Sequence, residues 1–318
     1  MQAARASVRL FRSIGIGMIP PPLEGTLTAL VTPFAGDAVD YAALRRLVQR
    51  QIDAGINGLV PTGTTGESPT LSVKEHLEVI RVVVETAAGR VPVIAGTGAN
   101  STAEAIELSR EAINLGVDGC LQVAPYYNKP SQEGIYRHFA AIAEVCPKIQ
   151  VLYSIPGRCG VEIGIPTVAR LADAFPHVRT IKEAGGTVTR VQELRAACGD
   201  AITILSGDDG LNLPFIAAGA RGTISVASNL APRLIGRMIR LALDGDLAGA
   251  TRLGEAYRPV LTDLQTLEGN PVTIKTTLAA AGVLAPFQVR LPLCELSPAN
   301  RERVQALLAQ LDLSEDVA

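Results

Sequence analysis

Val91–Val123 reads VPVIAGTGANSTAEAIELSREAINLGVDGCLQV, and its punctuation decides the fold. The apolar, β-branched start, Val91–Ala95, predicts a strand. Ser101-x-x-Glu104 has the form of a capping box, in which serine and glutamate satisfy the free amides at a helix start. The helical stretch that follows ends near Gly116, a residue suited to the left-handed turn that closes helices. A second apolar run, Cys120–Val123, opens the next strand. Strand, helix and strand in about thirty residues form one βαβ unit.

The rhythm extends in both directions. Thr26–Val31, Gly58–Pro61, Val91–Ala95, Cys120–Val123, Gln150–Tyr153, Val178–Ile181, Ala201–Leu205 and Thr223–Val226 read as eight strands. Between the first two, Asp40 precedes Leu44, Leu47, Val48 and Ile52 at helical spacing, and Gly55 closes the segment. Ser72-x-x-Glu75 repeats the capping box ahead of a helix that ends near Gly89. The strand ends recur roughly every 18 to 33 residues, which favours a closed (β/α)8 TIM barrel over a doubly wound sheet. After the eighth strand, Ala231–Leu243, Leu247–Leu267, Val272–Ala281 and Ala299–Leu311 continue as helices, predicting a C-terminal α-helical extension packed on the barrel. The expected division is an N-terminal extension over residues 1–23, a catalytic barrel over 24–243 and a helical subdomain over 244–318.

Composition agrees with a single large domain carrying an added subdomain. Of 318 residues 47% are hydrophobic, enough for a sizeable core, and a net charge of −2 shows no bias toward nucleic acid or anionic membrane. No apolar run approaches the roughly 18 residues that span a bilayer. Five cysteines, Cys120, Cys146, Cys159, Cys198 and Cys294, form no C-x-x-C pair and suggest neither a disulfide framework nor zinc. A cytoplasmic protein is the expectation. The first residues carry Arg5, Arg9 and Arg12 without an acid before Pro20-Pro21-Pro22; a disordered extension, or a start at Met18, is expected over a transit peptide.

In a barrel of this type polar residues at the strand ends face the active site. The second strand runs into Gly63-Thr64-Thr65-Gly66-Glu67-Ser68, whose amides can hold an anion such as a carboxylate and whose hydroxyls can relay protons; an ordinary polar turn is the plainer reading. Pro125-Tyr126-Tyr127-Asn128 and Tyr153-Ser154-Ile155-Pro156-Gly157-Arg158 hold three of only six tyrosines at the same barrel face. The sixth strand ends Val178-Arg179-Thr180-Ile181-Lys182-Glu183-Ala184. A strand-end lysine that loses hydration drifts toward the neutral amine, a nucleophile for carbonyls. The residues alone leave that reading beside a lysine paired with Glu183 or a neighbouring strand. Metal ligation has little support: His76, His138 and His177 are far apart, no H-E-x-x-H occurs, and Asp208-Asp209 fit better as caps of the next helix. No phosphate-loop or G-x-S-x-G motif is present, and the sequon Asn100-Ser101-Thr102 would stay unmodified in a cytoplasmic chain.

GTTGES (63–68), APYYNKPSQEG (124–134), YSIPGRCG (153–160), IKEA (181–184), SGDD (206–209) and GTISV (222–226), in this order and spacing, resemble the dihydrodipicolinate synthase and N-acetylneuraminate lyase family. The likeness runs from about Gly25 into Gly269-Asn270-Pro271. It implies that Lys182 forms a Schiff base with pyruvate and that Tyr153 shuttles protons, relayed through Thr65 and Tyr127. It also implies that the Thr64 and Thr65 amides hold the pyruvate carboxylate and that Gly207 and Ile224 border the pocket. The second tyrosine of the YYN segment, Tyr127, would enter from a neighbouring subunit, so a homodimer or homotetramer is implied, with no metal or organic cofactor. Arg158 and the GTTGES stretch (63–68) mark the synthase branch, whose second substrate is aspartate 4-semialdehyde on the way to diaminopimelate and lysine. Ser154 and Cys159 depart from the common synthase pattern beside the second-substrate site. A lysine feedback site would map near Ser68, His76, Asn100, Glu104 and Tyr126, with Val73 in place of a polar residue. A sister lyase acting on a 2-oxo sugar acid and a non-catalytic pyruvate-binding paralogue are the other readings.

Overall fold

Parallel strands covered on both sides are apolar throughout instead of alternating, because neither face meets water. Eight short, largely buried strands occur here, with buried polar residues such as Gln122, Thr180 and Lys182 among the apolar ones. In the computed structural model, which describes residues 22–264, 267–284 and 287–317, the strands are β1 Gly25–Ala29, β2 Gly58–Val60, β3 Ile94–Gly96, β4 Gly119–Val123, β5 Ile149–Ser154, β6 Val178–Glu183, β7 Thr203–Ser206 and β8 Gly222–Ser225. Every residue of β1, β2, β3, β5, β7 and β8 is buried. Neighbours pair in parallel in the order β2-β1-β8-β7-β6-β5-β4-β3, and a parallel bridge between Leu59 and Val93 joins the two ends, closing the (β/α)8 barrel.

The closure is narrow for a reason visible in the chain. Pro92 has no N–H, so it can only accept, from Leu59 at 2.9 Å, and regular pairing starts at Ile94 instead of the expected Val91. The seventh strand also starts later than expected, at Thr203, because Gly199–Ala201 form a 3-10 turn.

The outer helices begin where their caps stand. Asp40 accepts from the Ala43 amide at 2.8 Å and starts Tyr41–Asp53, which turns Leu44, Leu47 and Val48 inward. Ser72 and Glu75 form both halves of a capping box ahead of Val73–Ala87. At Thr102–Asn114 only the Ser101 half is made. Caps of this kind contribute about 1 kcal/mol each. Residues 1–21 of the expected extension lie outside the described residues.

After β8 the helices are Pro232–Leu243, Leu247–Ala256, Val272–Ala280, Pro298–Leu308 and the short Ser314–Val317. The single helix expected over Leu247–Leu267 is broken. Pro259 cannot donate to the preceding turn, the amides of Val260 and Leu261 both return to the Tyr257 carbonyl, and Pro259–Asp263 form a π-helical turn. These helices share one apolar cluster with the barrel flank: Ile239, Leu261, Leu278 and Val304 pack with Val31, Leu47 and Val226. No described helix is long and apolar enough to cross a membrane.

Candidate active site

β5 and β6 are in register with Tyr153 beside Lys182, and successive residues on a strand point to opposite faces. Lys182 therefore turns into the barrel with Tyr153, and its Nζ lies 4.3 Å from the phenol ring centroid. Glu183 turns outward, where its carboxylate takes the Arg190 guanidinium at 2.7 Å and the Gly185 amide at 2.6 Å. The reading of Lys182 as the partner of Glu183 is thereby excluded. Gly207, at the end of β7, leaves Lys182 room: a Cβ there would stand 3.0 Å from the lysine Cε and 2.8 Å from Ala184 Cβ. Ile224 on β8 is buried in the same inner cluster as Tyr153.

Burial strips Lys182 of hydration and brings its pKa down to about 8; the Asp209 carboxylate pulls the other way and the Arg158 charge adds to the fall. For Tyr153, burial raises the pKa to about 12, against the opposing pull of Arg158 and of a hydrogen bond with the Thr64 side chain. The phenol therefore stays protonated at neutral pH. Of the two adjacent threonines, Thr64 is the one that bears on the Tyr153 pKa, whereas the family resemblance implies a relay through Thr65. Thr65 is buried and its Oγ1 accepts instead from Asn270 Nδ2 at 2.9 Å. Asn270 also accepts, through its main-chain oxygen, from Arg158 Nη2 at 3.0 Å. Asn270 carries no expected role in the sequence; the Gly269-Asn270-Pro271 stretch is the signal that points to it.

Arg158 sits in the short helix Pro156–Cys159 at the mouth. A cavity of about 440 Å³ runs from Thr64, Tyr153 and Arg158 at one end to Ser68, His76, Glu104 and Tyr126 at the other, with Val73 and Cys159 in its wall. Lys182 is not among the lining residues, but its Nζ lies over the ring of Tyr153, which is. Asn100 supports the far end by donating to the Tyr126 carbonyl at 3.2 Å. Ser154 is buried, and its hydroxyl accepts from the Ile163 amide at 3.3 Å.

Tyr127 is not brought to the site within this chain. It is 89% exposed, with φ of 72°. Of the two acids expected to cap the next helix, Asp208 does so at Gly210 N, 2.9 Å. Asp209 is instead buried and accepts from the amides of Val226 and Ala227 at 2.9 and 2.8 Å, tying β7 to the end of β8. All five cysteines are free, and among the described residues no three His, Cys, Asp or Glu side chains are grouped to hold a metal ion.

Comparison with known proteins places this arrangement in a family. The sequence pattern of the dihydrodipicolinate synthetase family matches residues 22–311. The chain belongs to this family. The 4-hydroxy-tetrahydrodipicolinate synthase of Pelobacter propionicus is 48% identical over 290 residues, covering 91% of this chain and 99% of that protein. The solved structure of the 4-hydroxy-tetrahydrodipicolinate synthase of Methylacidiphilum fumariolicum superposes with a TM-score of 0.89 at 47% identity, covering 93% of this chain and 97% of the other. That of the Acinetobacter baumannii dihydrodipicolinate synthase complexed with pyruvate gives 0.88 at 40% identity, covering 91% and 99%. Membership in the dihydrodipicolinate synthetase family accounts for the order of the strand-end motifs along the whole barrel.

Proposed function

We propose that the chain condenses pyruvate with aspartate 4-semialdehyde to form 4-hydroxy-tetrahydrodipicolinate, through a Schiff base on Lys182. The observation that carries this reading is the buried Lys182 beside Tyr153, its pKa lowered to about 8 with no carboxylate bound to it among the described residues. The relatives' shared name, 4-hydroxy-tetrahydrodipicolinate synthase, supports the pair of substrates.

The neutral Lys182 amine adds to C2 of pyruvate, and loss of water leaves a protonated imine. That imine withdraws electrons from C3, which gives up a proton to become an enamine, so the protein needs no other electron sink. The enamine carbon bonds to the aldehyde carbon of the semialdehyde, whose oxygen takes a proton to become the hydroxyl. Attack of the semialdehyde's own amine on the imine carbon then closes the ring and releases Lys182. Tyr153 carries protons in these steps, with Thr64 as its hydrogen-bonded relay.

In this reading the Thr64 and Thr65 amides seat the pyruvate carboxylate, Gly207 and Ile224 wall the pocket, and Arg158 grips the carboxylate of the second substrate. Tyr127, exposed here, completes the relay in a neighbouring subunit, making a homodimer or homotetramer the working form. Residues 24–243 act as the catalytic barrel and 244–318 as its helical subdomain, in a cytoplasmic protein.

The test is pyruvate consumption by purified protein with aspartate 4-semialdehyde, run beside N-acetylneuraminate cleavage. Arg158→Ala should weaken semialdehyde turnover by on the order of a hundredfold or more while leaving pyruvate adduct formation at Lys182. Unchanged semialdehyde turnover in Arg158→Ala, or cleavage of the sugar acid in place of condensation, overturns the second-substrate assignment.

A further inference from the structure

The turn that presents Thr64 and Thr65 is held from outside the barrel. Its own bonds are few: the amides of Gly66 and Ser68 return to the Gly63 carbonyl at 3.1 and 3.3 Å, and that of Glu67 to Thr64 at 3.1 Å. Glu67 sits in the left-handed region, φ 56° and ψ 36°, a conformation that persists only where surroundings over-determine it. They do. Glu67 is fully buried, its Oε1 takes Lys275 Nζ at 2.6 Å, and its Oε2 takes the Arg290 amide at 3.1 Å. Lys275 also donates to the Thr32 carbonyl at 2.9 Å and lies 4.2 Å over the Phe34 ring. Thr32 in turn donates to Gly66 O at 2.7 Å. Five residues before Lys275, Asn270 holds the Thr65 hydroxyl. One C-terminal segment therefore grips the turn at two points on either side of Gly66.

An apolar pair of the same volume would hold two elements together at least as well as a dry ion pair, whose desolvation cancels much of its attraction. What the ion pair adds is direction. It fixes the Glu67 carboxylate, and with it the turn that carries Thr64 and Thr65, against a cation anchored in another element.

We propose that Glu67 and Lys275 are positioning residues for the Schiff-base reaction: their buried ion pair lets the C-terminal subdomain set the geometry of the Thr64–Thr65 carboxylate cradle. The inference rests on the reading of that cradle as the seat of pyruvate's carboxylate. It assigns the subdomain a part in substrate binding as well as in packing.

The experiment compares wild type with the double variant Glu67→Gln/Lys275→Met, which removes both charges at near-constant volume. Borohydride trapping of pyruvate on Lys182, followed by peptide mass spectrometry over a range of pyruvate concentrations, reads the cradle; thermal unfolding reads the fold. The expected result is a thermal midpoint near that of wild type with the half-saturating pyruvate concentration raised by about tenfold to a hundredfold, the scale of an ångström-sized misplacement. Half-saturation unchanged, whether or not the midpoint falls, overturns the proposal and leaves the pair a packing device. If the double variant does not fold, Glu67→Asp, which keeps the charge one methylene short of Lys275, decides: a raised half-saturation supports the proposal and an unchanged one overturns it. Absence of a Lys182 adduct in wild type is a different failure, overturning the Schiff-base reading and the clamp with it.

Discussion

Lys182, at the end of β6, and Lys275, inside the helix Val272–Ala280, are both withdrawn from water, at 5% and 0% exposure. Their regions differ in what is set against the charge. Around Lys182 there is a phenol ring at 4.3 Å and, among the described residues, no hydrogen bond or ion pair to Nζ, so desolvation prevails and the pKa falls to about 8. Around Lys275 there is a carboxylate at 2.6 Å, a carbonyl at 2.9 Å and a ring face at 4.2 Å; burial lowers its pKa while Glu67 draws it back up. Burial alone does not decide what a lysine does. Left unpaired, it becomes an amine able to attack a carbonyl; paired, it remains a cation able to fix geometry.

The largest test of this contrast is at Lys182, the proposed nucleophile. Lys182→Ala should lower condensation by on the order of 10⁴-fold or more and abolish the borohydride-trapped adduct. Lys275→Ala in whatever fraction stays folded should still yield the adduct at Lys182. An adduct found on Lys275, or retained in Lys182→Ala, would break the contrast. Tyr153→Phe comes next. The ring that faces Lys182 is kept and only the hydroxyl beside Thr64 is lost, so turnover should fall by about 10² to 10⁴-fold, measured as kcat with pyruvate saturating.

Stability should respond to the two lysines with opposite signs. Lys275→Met leaves Glu67 as an uncompensated buried carboxylate and should cost about 3–5 kcal/mol in urea unfolding. Lys182→Met removes a charge that the fold disfavours. Its folded pKa, about 8, lies below the roughly 10.4 of an unfolded lysine. The cost is therefore full below pH 8 and is relieved as pH rises toward 10.4, where the unfolded chain holds the extra proton. At pH 7 the variant should gain up to about 3 kcal/mol, with the gain shrinking above pH 8. A loss of stability in Lys182→Met at pH 7 would show that the lysine has a partner in solution.

These two regions were unequally legible in the chain. Local signals gave the barrel: the capping residues Asp40, Ser72 and Ser101 start their helices, and the eight β-branched runs are its strands, shifted by residues such as Pro92 whose missing donor acts at the ends. Lys182 and Tyr153 were each marked by a motif at the end of successive strands, and the parallel register sets them side by side. Which of two adjacent threonines meets the phenol did not follow, because the turn passes through left-handed residues at Thr62 and Glu67, and a one-residue change of direction exchanges their roles. The supports contributed by Asn270 and Lys275 lie about two hundred residues from the turn they hold, beyond the reach of any periodicity. A local trace existed even so: Lys275 is the lone charge in the otherwise uncharged helix VTIKTTLAA, and a charge kept in such a stretch is retained for a partner.

The smallest effect is in the pH dependence, and it isolates the unpaired lysine. Only the neutral amine adds to pyruvate, so below the Lys182 pKa of about 8 the initial rate of adduct formation should fall about tenfold per pH unit, and above it the rate should level off. Tyr153, near 12, stays protonated across this range and adds no second limb. Asp209 favours the charged lysine. Asp209→Asn, which keeps a side-chain oxygen for the Val226 and Ala227 amides, should therefore move the midpoint to lower pH and raise the rate at pH 7. A midpoint near 10 in wild type would mean that burial does not depress this amine. A midpoint unmoved in Asp209→Asn would mean that burial acts alone, with no carboxylate field opposing it.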